Sequence, residues 1–164
     1  MGLKSLWANP FKVIDTGSKT ELAFLASIPL FDTLTARQKT TLLKIIHLRR
    51  FKEGEIVFRQ GDPGVGLYIV REGQFEVYYE YPDLTRRKIA TIEQGDFFGE
   101  ISLLNDSPRS ATVVSSQEST LYGLFRPDLL GLMESDPKLG LAITYRIAQI
   151  IAERLRLVST NLSG

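Results

Sequence analysis

The feature that most constrains the fold is a stretch from about residue 51 to 126, in which strand-like segments alternate with turn signals. The strand-like segments are short and rich in β-branched and aromatic residues: EIVFRQ, GLYIVRE, QFEVYYEY, RKIATIE, ATVVSS and TLYGLF. Between them lie GDPGVG, REGQ, YPDL, EQGD and NDSPR, which are typical of tight connections. This stretch is too short for two sheets of long strands. We therefore predict a mainly β fold, a small jelly roll or barrel of antiparallel strands.

Helical patterns flank the predicted barrel on both sides. Before it, TELAFLASIPLF and TARQKTTLLKIIHL predict two short helices, the second capped by Thr35 and including His47. After it, a helical period of apolar residues predicts a long C-terminal helix over about 137–159. Residues 1–20 show no sustained period and are predicted to form an N-terminal arm. The folded domain is therefore assigned to residues 21–164.

Composition excludes several classes of protein. Of the 164 residues, 20 are Lys or Arg and 19 are Asp or Glu, so the basic stripe expected of a nucleic-acid-binding protein is lacking. The chain has no cysteine and one histidine, which argues against disulfides and against metal sites that need several imidazoles. No apolar run approaches the ~20 residues that span a bilayer. These features predict a cytoplasmic protein with no metal, no nucleic-acid partner and no membrane partner.

The loop FFGEISLLNDSPRSATV, residues 97–113, carries candidate chemistry. EISLL is long enough for one or two helical turns, and the start of a helix offers backbone N–H groups and a partial positive charge to a phosphate. Arg109 follows with a planar fork that can hold two phosphate oxygens, and Ser110 adds a hydroxyl. Glu100 suits a neighbouring sugar hydroxyl. The loop fits a sugar phosphate, and the alternative is a surface salt bridge between Glu100 and Arg109, worth ~0–1 kcal/mol.

This loop resembles the phosphate-binding cassette of cyclic-nucleotide-binding domains, in which FGE is followed after seven residues by PR, a small residue, Ala and Thr. FLASIPLFDTLTARQKTTLL, FKEGEIVFRQGDPGVGLYIVREGQFEVY and GDFFGE resemble the entry helices, glycine-punctuated strands and barrel of the same family. The resemblance covers about residues 22–158. It implies a ligand-binding set in this loop that consists of Gly99, Glu100, Ile101, Ser102, Arg109, Ser110 and Ala111.

The resemblance also implies roles for these residues. Arg109 holds the cyclic phosphate, together with Ser110 and the backbone N–H groups from Glu100 to Ser102. Glu100 accepts a hydrogen bond from the ribose 2′-hydroxyl, and Gly99 lets the backbone approach the sugar closely.

The base and the pocket wall are assigned by the same resemblance. Val77 and Ile89 match the apolar wall of the family's pocket, and ordinary barrel core is the alternative reading of both. Ser110 matches a position that is alanine in many cAMP-selective eukaryotic members, threonine in cGMP-selective members and serine in bacterial cAMP receptors. The expected ligand is therefore cAMP rather than cGMP.

The predicted C-terminal helix has a wider apolar arc than a one-sided surface helix needs. Ile143, Ile147 and Ile150 form one stripe, which is expected to face the barrel. A second stripe consists of Leu141, Ala148, Ile151, Leu155 and Val158. This second stripe predicts a homodimer through the C-terminal helix, as in bacterial cAMP-receptor proteins. The alternative is that the N-terminal helices cover it within one chain.

Arg154 lies inside the apolar arc of the same helix. It aligns near the positions at which related domains cap the base, so the resemblance implies stacking on the purine. The alternative is a side chain that extends to water. The predicted mechanism is a population shift, in which ligand bound to the barrel favours one position of this helix.

We therefore predict a regulatory sensor module that binds a cyclic purine nucleotide and is not an enzyme. In bacterial transcription factors of this family a helix-turn-helix follows the long helix. The sequence up to Gly164 has no helix-turn-helix after its long helix, so the expectation is a stand-alone sensor that acts on an unknown effector protein. One alternative is a degenerate fold that serves as a protein-interaction module, against which Glu100 and Arg109 argue. The other is a small barrel enzyme, which would need acid, base or metal groups converging on the barrel.

Overall fold

The computed structural model of the chain describes residues 21–162, so the predicted arm, residues 1–20, lies outside the described residues. Within them, two helices lead into eight strands, a short helix separates the sixth strand from the seventh, and two helices follow the last strand. The helices are α1 (Glu21–Ser27), α2 (Ala36–Leu43), α3 (Glu100–Leu104), α4 (Arg126–Ser135) and α5 (Pro137–Leu162). The strands are β1 (His47–Phe51), β2 (Ile56–Phe58), β3 (Gly66–Glu72), β4 (Gln74–Glu80), β5 (Arg86–Glu93), β6 (Phe97–Phe98), β7 (Thr112–Ser115) and β8 (Ser119–Phe125).

The strands form two four-stranded sheets. One has the order β1–β8–β3–β6 and the other the order β2–β7–β4–β5, and the paired strands in both are antiparallel. Strands that are distant in sequence therefore lie side by side, as the jelly-roll prediction requires. The predicted mainly β fold, with N-terminal helices and a long C-terminal helix, is confirmed.

His47 corrects the helical prediction for TTLLKIIHL. Helix α2 ends at Leu43, and His47 begins β1, so the strands start a few residues before the predicted position near 51. All five residues of β1 pair with β8, from His47 opposite Gly123 to Phe51 opposite Ser119. The helical spacing of apolar residues was misleading because tertiary strand pairing outweighs the weak local preference of so short a segment.

The predicted helix boundaries that depend on capping are confirmed. Thr35 accepts a hydrogen bond from the backbone N–H of Gln38 at 3.2 Å, and the Gln38 side chain accepts one from the Thr35 N–H at 2.9 Å. This reciprocal arrangement satisfies two donors that the start of α2 would otherwise leave unpaired. At the start of α5, the Asp136 carboxylate accepts a hydrogen bond from Leu139 N–H at 3.1 Å.

Two buried clusters form the core. The first joins α1, α2, α4 and α5 to the sheet that contains β3 and β8, and it includes Ile143, Ile147 and Ile150. These three isoleucines are at most 1% exposed, so the first predicted stripe of α5 faces the domain as expected. The second cluster lies inside the barrel and includes Phe75, Phe98 and other apolar residues of β3, β4, β5, β7 and β8.

Helix α5 is also fixed by polar contacts near its middle. The Nε of Arg146 donates to the Pro29 carbonyl at 2.9 Å, and its Nη2 lies 3.0 Å from the Asp32 carboxylate. The front half of α5 is thus attached to the turn between α1 and α2. Across residues 21–162 no helix combines the length and the apolar character needed to cross a membrane.

Candidate ligand-binding site

A cavity of about 530 Å³ lies between the FFGEISLLNDSPRSATV loop, strand β2 and the second half of α5. Its lining combines polar groups from the loop with apolar side chains from α5: Phe58, Gly99, Glu100, Ile101, Ser102, Ser107, Pro108, Arg109, Ser110, Ile151, Arg154, Leu155 and Val158. Six of the predicted site residues in the loop are therefore brought together, and Arg154 joins them from α5. The seventh predicted loop residue, Ala111, is 1% exposed and belongs to the buried cluster inside the barrel, and its contact with a ligand stays a prediction.

Gly99 immediately precedes α3 and lines the cavity. Its φ of 82° is in the left-handed region, which glycine adopts without the steric penalty of a side chain. A Cβ atom on Gly99 would lie 2.5 Å from Nη1 of Arg109 and 2.8 Å from the carbonyl oxygen of Gly66. The approach of the Arg109 guanidinium to the backbone therefore requires glycine at this position.

The Arg109 side chain is buried, but two of its hydrogen-bond donors have no partner among residues 21–162. It is 5% exposed, and its guanidinium carbon lies 4.1 Å from the centre of the Phe58 ring and 5.7 Å from that of Tyr68. Its Nε and Nη1 have no hydrogen-bond acceptor among residues 21–162. A buried cation with unpaired donors is costly, and an anion in the cavity would remove that cost.

The main chain of Arg109 is held on both sides. Its N–H donates to the Asp62 carbonyl and its carbonyl accepts from Gly61 N–H, both at 2.8 Å. Burial lowers the pKa of Arg109 from its usual value, while the neighbouring Tyr68, Asp62 and Glu100 act in the opposite direction. Arginine stays charged under such a shift because its ordinary pKa is far above neutrality. The cavity therefore holds a fixed positive charge.

Glu100 does not form the salt bridge with Arg109 that was the alternative reading of the loop. Instead its carboxylate pairs with Nη1 of Arg154, and the two residues are 6% and 9% exposed. The Arg154 guanidinium lies 5.1 Å from the centre of the Phe97 ring, and its Nε and Nη2 are unpaired within the described part of the chain. The extension of Arg154 to water is therefore wrong, and its stacking on a purine stays a prediction.

The remaining predicted site residues differ in how deeply they are buried. Ser110 and Ile101 are exposed at the mouth of the cavity, whereas Ser102 is 4% exposed and turns towards the loop carbonyl of Ser107. Val77 is fully buried in the barrel core, and Ile89 packs against the same cluster. Neither Val77 nor Ile89 is part of the cavity lining among residues 21–162, and their contact with a base stays a prediction.

Sequence reasoning missed Phe58, which lines the cavity, and Arg126, which contacts the loop although it does not line the cavity within residues 21–162. Phe58 lies under the Arg109 guanidinium, and only its position in a predicted strand of the barrel marked it. Arg126 follows β8, and its guanidinium makes hydrogen bonds to Ser102, Asn105 and Asp106 of the loop and to the Gly64 carbonyl before β3. The arginine in FRPDLL carried no sequence signal beyond its place before a proline that begins a helix.

Some residues of the second predicted stripe of α5 line the cavity, and others are exposed. Ile151, Leu155 and Val158 line the cavity, so part of the stripe is accounted for within one chain. Leu141 and Leu155 are 68% and 64% exposed, and Ala148 is also exposed. The alternative that α1 and α2 cover the stripe is therefore not what the described residues show.

The fold and the site identify the family when they are compared with known proteins. The family model of the cyclic nucleotide-binding domain matches residues 48–136, more than half of the chain. The chain therefore belongs to the cyclic-nucleotide-binding domain family, a family of regulatory domains. Across residues 21–162 no cluster of three or more His, Cys, Asp or Glu residues could hold a metal ion.

Individual relatives agree with this assignment. The cyclic AMP receptor protein of Thermus thermophilus is 33% identical over 128 residues, which are 78% of this chain and 57% of that protein. The cGMP-dependent protein kinase of Plasmodium berghei is 36% identical over 104 residues, 63% of this chain and 12% of that protein. The solved structure of the Thermus thermophilus catabolite activator protein matches with a TM-score of 0.74 and 32% identity, covering 82% of this chain and 62% of that chain. The chain thus spans less than two thirds of the length of each.

Proposed function

We propose that the chain is a regulatory module, not an enzyme, that binds a cyclic purine nucleotide in the cavity at α3. The observation that carries the proposal is the buried Arg109 guanidinium, which faces the cavity with two unpaired donors within residues 21–162. A phosphate oxygen at this place would accept from these donors and offset the desolvation of the cation. The cavity volume of about 530 Å³ falls within the ~300–1,000 Å³ typical of small-molecule sites.

The other lining groups have roles that fit the parts of a cyclic nucleotide. Ser110 and the backbone N–H groups from Glu100 to Ser102 assist Arg109 at the phosphate, because the first N–H groups of a helix have no partner within it. Glu100 accepts from the ribose 2′-hydroxyl. Val77 and Ile89 support the wall behind the ribose and base, and Arg154 stacks on the purine.

The base that we propose is adenine. Ser110 carries this assignment, since the family resemblance associates serine here with bacterial cAMP receptors. Relatives named for cAMP and for cGMP both match the chain at similar identity, so a direct comparison of the two nucleotides is needed.

The proposed response of the module to a bound ligand is a change in the position of helix α5. Ile151, Arg154 and Val158 line the cavity from α5, so a ligand there contacts both the barrel and the helix. A ribose hydroxyl at Glu100 shares or replaces the bond to Arg154, and this changes the free energy of one α5 position relative to others. Ligand contacts that differ between two positions shift the population between them. The partner that reads this shift is an effector protein, and the proposed compartment is the cytoplasm.

Thermal unfolding measured with several nucleotides tests whether the chain binds a cyclic purine nucleotide. We expect cAMP to raise the melting temperature more than cGMP, because a ligand at 100 times its Kd adds about 2.7 kcal/mol to the free energy of unfolding. 2′-Deoxy-cAMP should bind ~10-fold or more weakly, since it loses the charge-assisted hydrogen bond that the 2′-hydroxyl donates to the buried Glu100 carboxylate. Linear 5′-AMP is the matched control for the cyclic phosphate. Equal melting temperatures with and without millimolar cAMP and cGMP would contradict the proposal.

A homodimer through α5 is the proposed assembly. Leu141, Tyr145, Ala148, Ala152 and Leu155 are exposed and follow one another at spacings of four and three residues. This is the period of a two-helix seam, and it lies on the side of α5 opposite the buried isoleucines. The two alanines at its centre would let two helices approach closely.

A charged residue introduced into the exposed row of α5 that would form the two-helix seam tests the dimer prediction. We expect the wild-type chain to sediment at twice the mass of one chain and Leu141→Glu to sediment as a monomer, because a buried unpaired carboxylate is costly. Thr160→Glu, an exposed position on α5 outside the seam, is the control and should remain dimeric. A wild-type monomer at high micromolar concentration, with and without cAMP, would refute the dimer.

A further inference from the structure

The Arg109 guanidinium faces the cavity although two carboxylates lie near enough to attract it. Burial lowers its pKa, and the neighbouring side chains of Tyr68, Asp62 and Glu100 oppose this lowering. The buried Nε and Nη1 have no acceptor within residues 21–162, so a turn towards either carboxylate would gain a charge-assisted hydrogen bond. A contact other than a hydrogen bond is therefore needed to keep these donors available to a ligand.

The aromatic ring of Phe58 is placed to provide such a contact. The guanidinium carbon of Arg109 lies 4.1 Å from the centre of the Phe58 ring and 5.7 Å from that of Tyr68. Both distances are within the ~6 Å over which a ring face attracts a cation. A ring face attracts the charge without occupying the N–H donors as a carboxylate does, so this contact stabilises the cation and leaves Nε and Nη1 to an anion.

Neighbouring rings hold Phe58 in this position. The centre of its ring lies 6.0 Å from that of Tyr68 and 5.8 Å from that of Phe98, and the rings of Tyr68 and Phe98 stack at 5.6 Å. Phe98 is fully buried inside the barrel. Because closely packed side chains have few alternative arrangements, the ring of Phe58 is a fixed support for the guanidinium.

A bulge in β2 explains how Phe58 reaches the cavity. Ile56 lies opposite Val114 and Phe58 lies opposite Val113, so β2 carries one residue more than β7 between these pairs. Val57 and Phe58 are adjacent, yet both pack against the cluster inside the barrel, whereas neighbours in a regular strand point to opposite faces. Bulges are common next to functional sites, where they re-aim a side chain.

The turn after β2 fixes the main chain of Arg109 as well. Gly61 N–H donates to the Arg109 carbonyl, and Arg109 N–H donates to the Asp62 carbonyl, both at 2.8 Å. The turn is closed by two hydrogen bonds between Arg59 and Asp62, in which Arg59 N–H donates to the carboxylate at 2.8 Å and Asp62 N–H donates to the Arg59 carbonyl at 3.1 Å. The segment 58–62 thus contacts both the main chain and the side chain of Arg109.

We infer that Phe58 is a positioning residue that keeps the Arg109 guanidinium directed at the cavity before a ligand binds. Its consequence for affinity rests on the proposed function, since it needs a nucleotide that binds at Arg109. Without the attraction of the ring, the guanidinium turns towards Asp62 or Glu100 in part of the population. The apparent Kd rises in inverse proportion to the competent fraction, so a fraction of about one tenth weakens binding about 10-fold.

Packing alone predicts a different result from attraction between the ring and the cation. Phe58 lines the cavity, so Phe58→Leu would weaken binding under either explanation. Fluorine atoms on the ring withdraw electron density from its face and weaken its attraction for a cation, while they change its size only slightly. A loss of affinity that grows with each fluorine therefore distinguishes positioning of Arg109 from packing.

In the first experiment, Phe58 is replaced by phenylalanines with one, two or three ring fluorines, and cAMP binding is measured by calorimetric titration. We expect the Kd to rise with each fluorine and to reach about 5- to 30-fold with three, as loss of a desolvated cation–π contact implies. The same replacements at Phe75 are the control and should leave the Kd unchanged, because this buried ring has no guanidinium over it in the described part of the chain. A constant Kd across the Phe58 series, with wild-type protein that binds cAMP, overturns the inference.

Unfolding in urea without nucleotide tests the same contact independently of the proposed function. The free energy of unfolding is compared for the wild type, trifluorinated Phe58, Arg109→Leu and the combination of both changes. We expect three fluorines to lower the urea midpoint in the wild-type background and to lower it by less than half as much in Arg109→Leu, where the cation is absent. Equal shifts in the two backgrounds overturn the inference. Absence of nucleotide binding by the wild type refutes the proposed function, and this comparison then decides the inference alone.

Discussion

Replacing Arg109 by alanine should abolish useful nucleotide binding while leaving the free protein nearly as stable as the wild type. The guanidinium is the fixed positive charge of the cavity, and its loss leaves the phosphate without its main partner. Removing one member of a buried charge pair costs about 2–5 kcal/mol, which is roughly 30- to 5,000-fold in Kd. Calorimetric titration with cAMP measures this loss directly.

The stability of the Arg109→Ala variant distinguishes a binding role from a structural one. The unpaired Nε and Nη1 oppose burial, and the favourable contact with the Phe58 ring is worth about 0.5–2 kcal/mol. Because these effects oppose each other, we expect the free energy of unfolding to change by less than about 1–2 kcal/mol. Arg37→Ala, at an exposed position on α2, removes the same charge far from the loop and should bind normally. Wild-type affinity in Arg109→Ala would contradict the proposed role of the guanidinium.

Replacing Gly99 by alanine should impair both stability and binding. A left-handed φ of 82° costs a non-glycine residue about 1–3 kcal/mol of backbone strain. The new Cβ would also crowd Nη1 of Arg109 and the Gly66 carbonyl, so the guanidinium must leave the place where it meets the phosphate. We expect at least a 10-fold loss of affinity for cAMP beside a clear loss of stability in urea, since displacement of a charge-assisted contact costs ~1.5–3 kcal/mol.

Gly54 provides a matched control for Gly99. Its φ of 81° is nearly the same, but a Cβ atom there would meet no other atom within 4 Å. Gly54→Ala should therefore show the backbone strain alone, with reduced stability and unchanged affinity. If both variants bind cAMP as tightly as the wild type, the geometry of Gly99 and Arg109 is not what positions the ligand.

The sequence predicted the barrel and the loop well because both depend on local signals. Turn residues between short β-branched segments mark the strands, and the Thr35 capping box marks α2. The positions of Glu100 and Arg109 at the cavity also follow from one short loop. His47 was assigned to the wrong element because its strand is specified by pairing with β8, more than seventy residues further along the chain.

The parts that the sequence did not predict are contacts between distant segments. Arg154 meets Glu100 across 54 positions of sequence, and its apolar neighbours on α5 gave no indication of a carboxylate partner. The contacts of Phe58 with Arg109 and of Arg126 with the Ser102 carbonyl of α3 are of the same kind. Such pairings depend on how the loop and α5 pack on the barrel, and periodicity within one segment does not encode them.

Calorimetric titration of nucleotide-stripped wild-type protein with cAMP, and then with cGMP, tests the central claim most directly. We expect saturable heat at one nucleotide per chain, with cAMP bound more tightly than cGMP. Tighter binding of cGMP would keep the cavity as the nucleotide site and refute the role given to Ser110 in choosing the base. No heat with either nucleotide, from protein shown to be folded, would contradict the proposed nucleotide binding and leave the fold as a protein-interaction module.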